Sequence, residues 1–319
     1  DNGGGSLSEA VELTSLFIGK GPVVQQRKAR GQIEVSSNDA GSVVWDGPMG
    51  VLINRSSASA SEIFAAAIQD YGRGLILGEN SFGKGTVQQV ISLDEIAKSE
   101  KAQYGELKMT VAQFFRVNGG TTQLRGVTPD IAYPSFIDPD SYGESSYENA
   151  LPWVQIKPAN FQVMGNLKDV QAMLQLRHEL RIAKDKEFQF IKEDIAEYKL
   201  QKEKKTISLN EEERRIERDT REKKIKDREA LRLASESKVK GTEKRDKAAA
   251  KIATQDDGLQ GNERSLASEI AQEKANKDAK DVYLIEAAHI LSDEIDLIKT
   301  NKQVAEQVVL RSANKASKQ

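Results

Sequence analysis

Residues 49–91 read MGVLINRSSASASEIFAAAIQDYGRGLILGENSFGKGTVQQVI. The apolar run Met49–Asn54 predicts a strand, the Ser/Ala-rich stretch after it a turn, and the Ala-rich segment to Asp70 a helix. Gly74–Gly78 predicts a second strand, followed by a glycine loop that holds Lys84 and a further strand from Thr86 to Ile91. A serine at a helix entrance and a lysine in a tight glycine frame are the two side chains that a serine-lysine hydrolase needs.

Each has a second reading. Ser59-x-x-Glu62 ahead of Ile63-Phe64-Ala65 is a capping box, in which Ser59 accepts from the amide near Glu62 and Glu62 returns the bond. The same serine, flanked by Ala58 and Ala60, carries an unobstructed oxygen at the positive end of a helix dipole, close to free backbone N–H groups. Gly78–Lys84 also fits GxxxxGK, the start of a phosphate loop. Gly85 follows, however, where that loop needs Ser or Thr for Mg²⁺, and Thr86–Ile91 reads as strand where a helix is required. Lys84 is left either as a solvated turn residue or as a lysine that approaches another segment closely. In the second case it has to be withdrawn from water, because only a neutral amine serves as general base.

Outside this unit the composition narrows the chemistry. The 319 residues carry a net charge of −2, which gives no global attraction to nucleic acid or anionic lipid. With no cysteine, a disulfide framework, a thiolate metal site and a cysteine nucleophile are all impossible. The two histidines, His178 and His289, lie far along in charged, helix-like sequence, so a catalytic base in the first half is not histidine. His289 is expected at the surface or in packing. No run of about 18 or more apolar residues occurs, the length that a spanning helix needs.

The flanks complete a domain. Asp1-Asn2-Gly3-Gly4-Gly5 is a glycine turn, followed by a helix from near Ser6 and short β-like runs at Pro22–Arg27, Gln32–Ser36 and Ser42–Trp45. Ser92–Glu106 reads as loop, Leu107–Val117 as strand, and Thr121–Tyr133 as an extended continuation. A core over 1–134, a polar linker over 135–165 whose Leu151–Val163 packs back, and a charged helical region over 166–319 follow, with a stretch of low apolar content near 235–269. In that last region an amphipathic helix is expected at Asp281–Ile298, with Val282, Ile285, Ala288, Leu291, Ile295 and Ile298 as its stripe.

Asn54-x-x-Ser57-Ala58-Ser59-Ala60-Ser61-Glu62, then Gly78-Glu79-x-x-Phe82-Gly83-Lys84-Gly85-x-x-Gln88, resembles the C-terminal processing peptidases, peptidase family S41. Phe115–Gly120, Gly126–Asp130, Asn149–Trp153, Arg181–Asp185 and Ser208–Asn210 extend the likeness, closest to the family's periplasmic Gram-negative branch. The resemblance implies an α+β chain: a mixed α/β protease core of crotonase- or Clp-like strand-helix layers, then a mostly helical C-terminal domain. It implies a serine endopeptidase with Ser59 as nucleophile, Lys84 as general base, Gln88 orienting the lysine and Asp70 in support. The N–H groups of Gly5 and Ala60 would form the oxyanion hole, and no metal or other cofactor is implied. Implied partners are proteins or peptides with apolar C-termini, and an adaptor through the helical domain. The chain would then be a C-terminal piece without the family's PDZ module. A non-catalytic helical scaffold stays open as the alternative.

Overall fold

The computed structural model describes residues 1–39, 42–98, 101, 103–138, 141–239, 281–302 and 304–305, with the side chains of 235–239 left out. It divides the chain into two compact units, one of Asp1–Glu197 with Lys280–Gln319 and one of Tyr198–Ala279. The helical region expected as one block from 166 is therefore shared between units. Most of the low-apolar stretch, from 240 onward, lies outside the described residues.

In the first unit, α1 (Leu7–Ile18) precedes β1 (Gly21–Lys28) and β2 (Ile33–Asn38). β3 (Gly50–Ile53), α2 (Ala60–Asp70) and β4 (Leu75–Gly78) form the strand-helix-strand unit. β5 (Thr86–Ser92), α3 (Leu93–Ala97), β6 (Glu106–Phe115) and β7 (Ile131–Ala132) follow. β3, β4 and β7 make a parallel sheet with β4 in the middle, and β2-β1-β6-β5 make an antiparallel one. Because β3 and β4 run parallel, the chain between them has to cross over, and α2 is that crossover.

β4 is buried along its whole length, as the central strand of a covered parallel sheet must be. Its alternate residues serve two cores. Ile76 joins Ala65, Ala66, Ile68, Val11 and Val24 on the side of α1 and α2. Leu75 and Leu77 join Val170, Leu174, Ala287 and Ile290 on the side of α4 (Lys168–Ile182) and α7 (Val282–Thr300). α5 (Lys186–Glu203) follows α4 in the chain and buries Phe188 and Ile195. In the second unit, α6 (Glu211–Val239) starts where Asn210 Oδ1 accepts from the N–H groups of Glu212 and Glu213.

Three expectations are corrected. Ser42–Trp45 forms no strand; its Val44 N–H donates to Leu16 O at the end of α1. Part of Ser92–Glu106 is helix, α3, capped by the Ser92 hydroxyl accepting from Glu95 N–H. On α7 the buried face is Glu286, Ala287, Ile290, Glu294 and Leu297, while Ile285 and Ile295 are exposed. An apolar count misplaced this face because two of its residues are glutamates. Glu286 is held by His178 Nδ1 at 2.8 Å and by a two-pronged pair with Arg181, both from α4. Burial raises the Glu286 carboxyl, but the His178 and Arg181 hydrogen bonds outweigh it and hold it below the ordinary range. His178 is therefore a buried packing residue stacked on Tyr133, far from any catalytic role, while His289 is exposed as expected.

The polar segment 141–149 is held against the core. It closes over the Lys84 loop with the 3₁₀ turn Glu144–Ser146. Downstream, Ile156 and Ala159 N–H groups donate to Gly119 O and Val117 O, and Phe161 packs on Tyr71, so Leu151–Val163 lies back on the core.

Candidate active site

Ser59 sits between β3 and α2 with φ 59 and ψ −117, one of three non-glycine residues with positive φ among the described residues. Such a conformation costs on the order of 1–3 kcal/mol and persists only where the surroundings enforce it. Several groups do so. Ala58 N–H donates to Asn2 O at 3.0 Å, Ser57 N–H to Asn54 O at 2.9 Å, and Ser59 N–H to Glu62 Oε2 at 2.8 Å. The return half of the capping box is thus present. The other half is not: the Glu62 amide donates to the Ser59 carbonyl, and the Ser59 hydroxyl makes no cap bond. The sharp backbone turn withdraws the hydroxyl from the helix end and leaves it to the cavity.

That cavity, about 370 Å³, is lined by Gly5, Ser6, Leu7, Ser59, Ala60, Ile63, Lys84, Thr86, Val87, Gln88, Lys108 and Phe114. Five of the six residues singled out from sequence meet here: Ser59, Lys84, Gln88, Gly5 and Ala60. The three consecutive residues Thr86, Val87 and Gln88 line it together, which a regular strand forbids because its side chains alternate. A register shift between Val87 and Gln88 in the pairing with β6 breaks that alternation. Gly5 and Ala60 N–H groups donate to no protein acceptor among the described residues, the condition for receiving an oxyanion.

Gly4 explains how the N-terminal turn and the serine fit together. At its φ of +88, an added Cβ would lie 2.5 Å from Ala58 O, 2.7 Å from Ala60 N and 3.0 Å from Ser59 Cβ, whereas a Cβ on Gly5 would meet nothing within 4 Å. Gly4→Ala is accordingly expected to lower turnover by about 10²-fold while Gly5→Ala lowers it several-fold less, through displacement of the Ser59 turn. Parallel kinetics on the two variants check this; equal losses would refute it.

Lys84 is half-buried, not withdrawn from water to the extent anticipated, and among the described residues its side chain has no carboxylate partner and no hydrogen bond to Ser59 or Gln88. Gln88 is exposed at the rim. Ser59 and Lys84 thus line one cavity with no hydrogen bond between their side chains.

Asp70 is not in the cavity. It stands at the far end of the 11-residue α2, roughly 16 Å along the axis from Ser59. There it pairs with Arg116 at 2.6 Å and accepts from Asn118 Nδ2 at 2.8 Å, tying α2 to the end of β6. These bonds hold the C-terminal end of the helix whose N-terminus carries Ser59.

Glu62, which sequence reasoning treated only as a capping partner, is the main residue it missed. Fully buried, it accepts from Ser81 Oγ at 2.5 Å and Gly83 N–H at 2.8 Å on Oε1, and from Ser59 N–H at 2.8 Å and Lys84 N–H at 2.9 Å on Oε2. One carboxylate thereby joins the serine turn to the lysine loop. Burial pushes this carboxyl up to about 7, against the pull of its four donors. Among the described residues no three His, Asp or Glu side chains are grouped as metal ligands.

Comparison with known proteins adds independent information. Residues 1–133 match Peptidase family S41, and residues 137–296 match the C-terminal domain of tail specific protease. The tail-specific protease of Haemophilus influenzae is 46% identical over 222 residues, 69% of this chain and 32% of that protein. The carboxy-terminal-processing protease of Bartonella bacilliformis is 43% identical over 132 residues, 41% of this chain and 28% of that one. Among solved structures, the photosystem II D1 C-terminal processing protease shares 34% identity, with a TM-score of 0.36 over 44% of this chain and 33% of its own. The chain spans about a third of the length of these curated relatives.

Proposed function

The chain belongs to peptidase family S41 and carries the C-terminal domain of tail-specific proteases, and on that premise we propose that it is the catalytic portion of a serine endopeptidase working through a Ser59–Lys84 dyad. The observation that carries this reading is the single cavity on which the strained Ser59, Lys84 and the unpaired Gly5 and Ala60 N–H groups converge. Lys84, having lost its own proton, takes the proton of the Ser59 hydroxyl. The Ser59 oxygen attacks the scissile carbonyl carbon, and the oxyanion so formed is received by the Gly5 and Ala60 amides. As the tetrahedral adduct collapses, the C–N bond breaks and Lys84 returns its proton to the leaving amine. Water then attacks the Ser59 ester and gives a proton to Lys84; as this second adduct collapses, the bond between Ser59 Oγ and the acyl carbon breaks, Lys84 passes that proton to the Ser59 oxygen, and the acid product leaves with Ser59 and neutral Lys84 restored.

Leu7, Ile63, Val87 and Phe114 give the cavity an apolar wall, which supports apolar residues at the scissile bond. Recognition of substrates by apolar C-terminal tails, a periplasmic location and an adaptor on the helical region are proposed from the likeness to tail-specific proteases.

Treating the intact protein with a biotinylated fluorophosphonate and mapping the adduct tests the proposal. The label is expected on Ser59, with peptide hydrolysis lost in step with its uptake. Hydrolysis that survives complete labelling, or a protein that hydrolyses peptides yet takes no label at Ser59, would overturn it.

A further inference from the structure

The Lys84 loop is held from two sides, and only one of them belongs to the protease core. On the core side stands the Glu62 carboxylate. On the other, the segment Tyr142–Tyr147 lies over the loop, although it falls in the residues that match the C-terminal domain. Glu144 N–H donates to Phe82 O at 3.0 Å, and the Phe82 ring is flanked by Tyr142 and Tyr147 with centroids 5.7 and 6.5 Å away. The Glu144 carboxylate accepts from Gln123 Nε2 at 3.0 Å. Gln123, fully buried, uses its other end to accept from Gly85 N–H at 2.8 Å, next to Lys84. Arg55 fastens the segment down: its buried guanidinium donates to Ser81 O at 2.5 Å, to Tyr142 O at 2.8 Å and to Ser145 Oγ at 3.2 Å.

Resting on the Ser59–Lys84 reading, we infer that Glu144 and Gln123 are positioning residues for Lys84, so that the opening of the C-terminal domain is part of the catalytic apparatus. The physical case is a relay. A buried amide with a partner at each end has one orientation; without Glu144, Gln123 can turn, and the Gly85 N–H loses its fixed acceptor. Gly85 leaves the loop little freedom to compensate, since a Cβ there would already lie 2.5 Å from Thr121 Oγ1. A displacement of the lysine by even about 1 Å is enough to slow proton transfer by one to two orders of magnitude. Neither Glu144 nor Gln123 lines the cavity, so substrate binding is left alone.

The test compares Glu144→Ala and Glu144→Gln in the intact protein, with steady-state kinetics on a peptide substrate, thermal melting, and fluorophosphonate labelling of the unmutated protein. Glu144→Ala is expected to lower kcat about 10-fold with KM within two-fold, and Glu144→Gln, whose amide oxygen still accepts from Gln123, to restore kcat to within about two-fold. A folded Glu144→Ala with unchanged kcat, a Gln variant as slow as the Ala one, or a loss confined to KM would overturn the inference. Should Glu144→Ala fail to melt cooperatively, Tyr142→Ala takes its place: a several-fold fall in kcat supports the strut, and an unchanged kcat refutes it. An unmutated protein that takes no label at Ser59 would sink the dyad itself, whereas labelling with an indifferent Glu144→Ala sinks only the strut.

Discussion

In the intact protein, Ser59→Ala and Lys84→Ala are each expected to lower kcat/KM for peptide hydrolysis by at least about 10³-fold, and the double variant to be no slower than either single one. A nucleophile and its base act as a unit; once either is gone, the other has nothing left to do. The structure makes this test unusually clean. The Lys84 side chain has no ion-pair or hydrogen-bond partner among the described residues, and its fixed contact, the backbone N–H to Glu62, survives truncation. The Ser59 hydroxyl likewise caps nothing. Both single variants should therefore keep their folding free energy within about 0.5 kcal/mol of the parent, the range of substitutions that break no buried contact. Chemical denaturation beside steady-state kinetics separates the two effects. Lys84→Ala at parental turnover would eliminate the dyad, and losses that multiply in the double variant would mean the two residues work independently.

Much of this site was legible in the sequence because it is local. The strand, turn, helix and strand of 49–91 follow from hydrophobic periodicity, and the glycines at 4, 83 and 85 mark where backbone has to pass close to backbone. What was not legible was long-range. That Glu62 reaches past its own helix end to Ser81, Gly83 and Lys84 depends on the 20-odd intervening residues folding back, which a capping motif does not announce. That the polar segment 141–147 is a structural part of the lysine loop depends on a buried Arg55, and arginine in a turn reads as surface. On α7 the two buried glutamates inverted the apolar face: the hydrogen-bond partners of Glu286, His178 and Arg181, lie far off in sequence, and Glu294 is buried with its carboxyl pushed up to about 7 by that burial. Glu62, Arg55 and Glu286 are polar groups buried against others, and patterning by hydrophobicity cannot see such pairs.

Glu62→Ala is the second large effect. Removing the carboxylate leaves the N–H groups of Ser59, Gly83 and Lys84 and the Ser81 hydroxyl without their acceptor in a buried place. At about 1–3 kcal/mol for each unsatisfied buried donor, partly relieved by entering water, the loss should be at least about 3 kcal/mol and should release the lysine loop from the serine turn. Turnover is expected to fall by about 10²-fold or more even in molecules that remain folded. Glu62→Gln distinguishes charge from shape, because one end of an amide is a donor and would face N–H groups that already donate. The carboxyl also carries a pH signature. Its value in the folded protein, about 7, lies above the ordinary 4.5, so between these pH values the folded state binds the extra proton and the unfolded state does not. Stability from this group is therefore greatest below about 4.5 and declines as pH rises to about 7, by on the order of 3 kcal/mol. Urea denaturation at pH 5 and pH 8 reads the difference. The parent is expected to lose more stability across that interval than Glu62→Gln, which has no proton to release there. Parallel pH slopes in the two proteins would show that Glu62 is ionised throughout, held so by its four donors in spite of its burial.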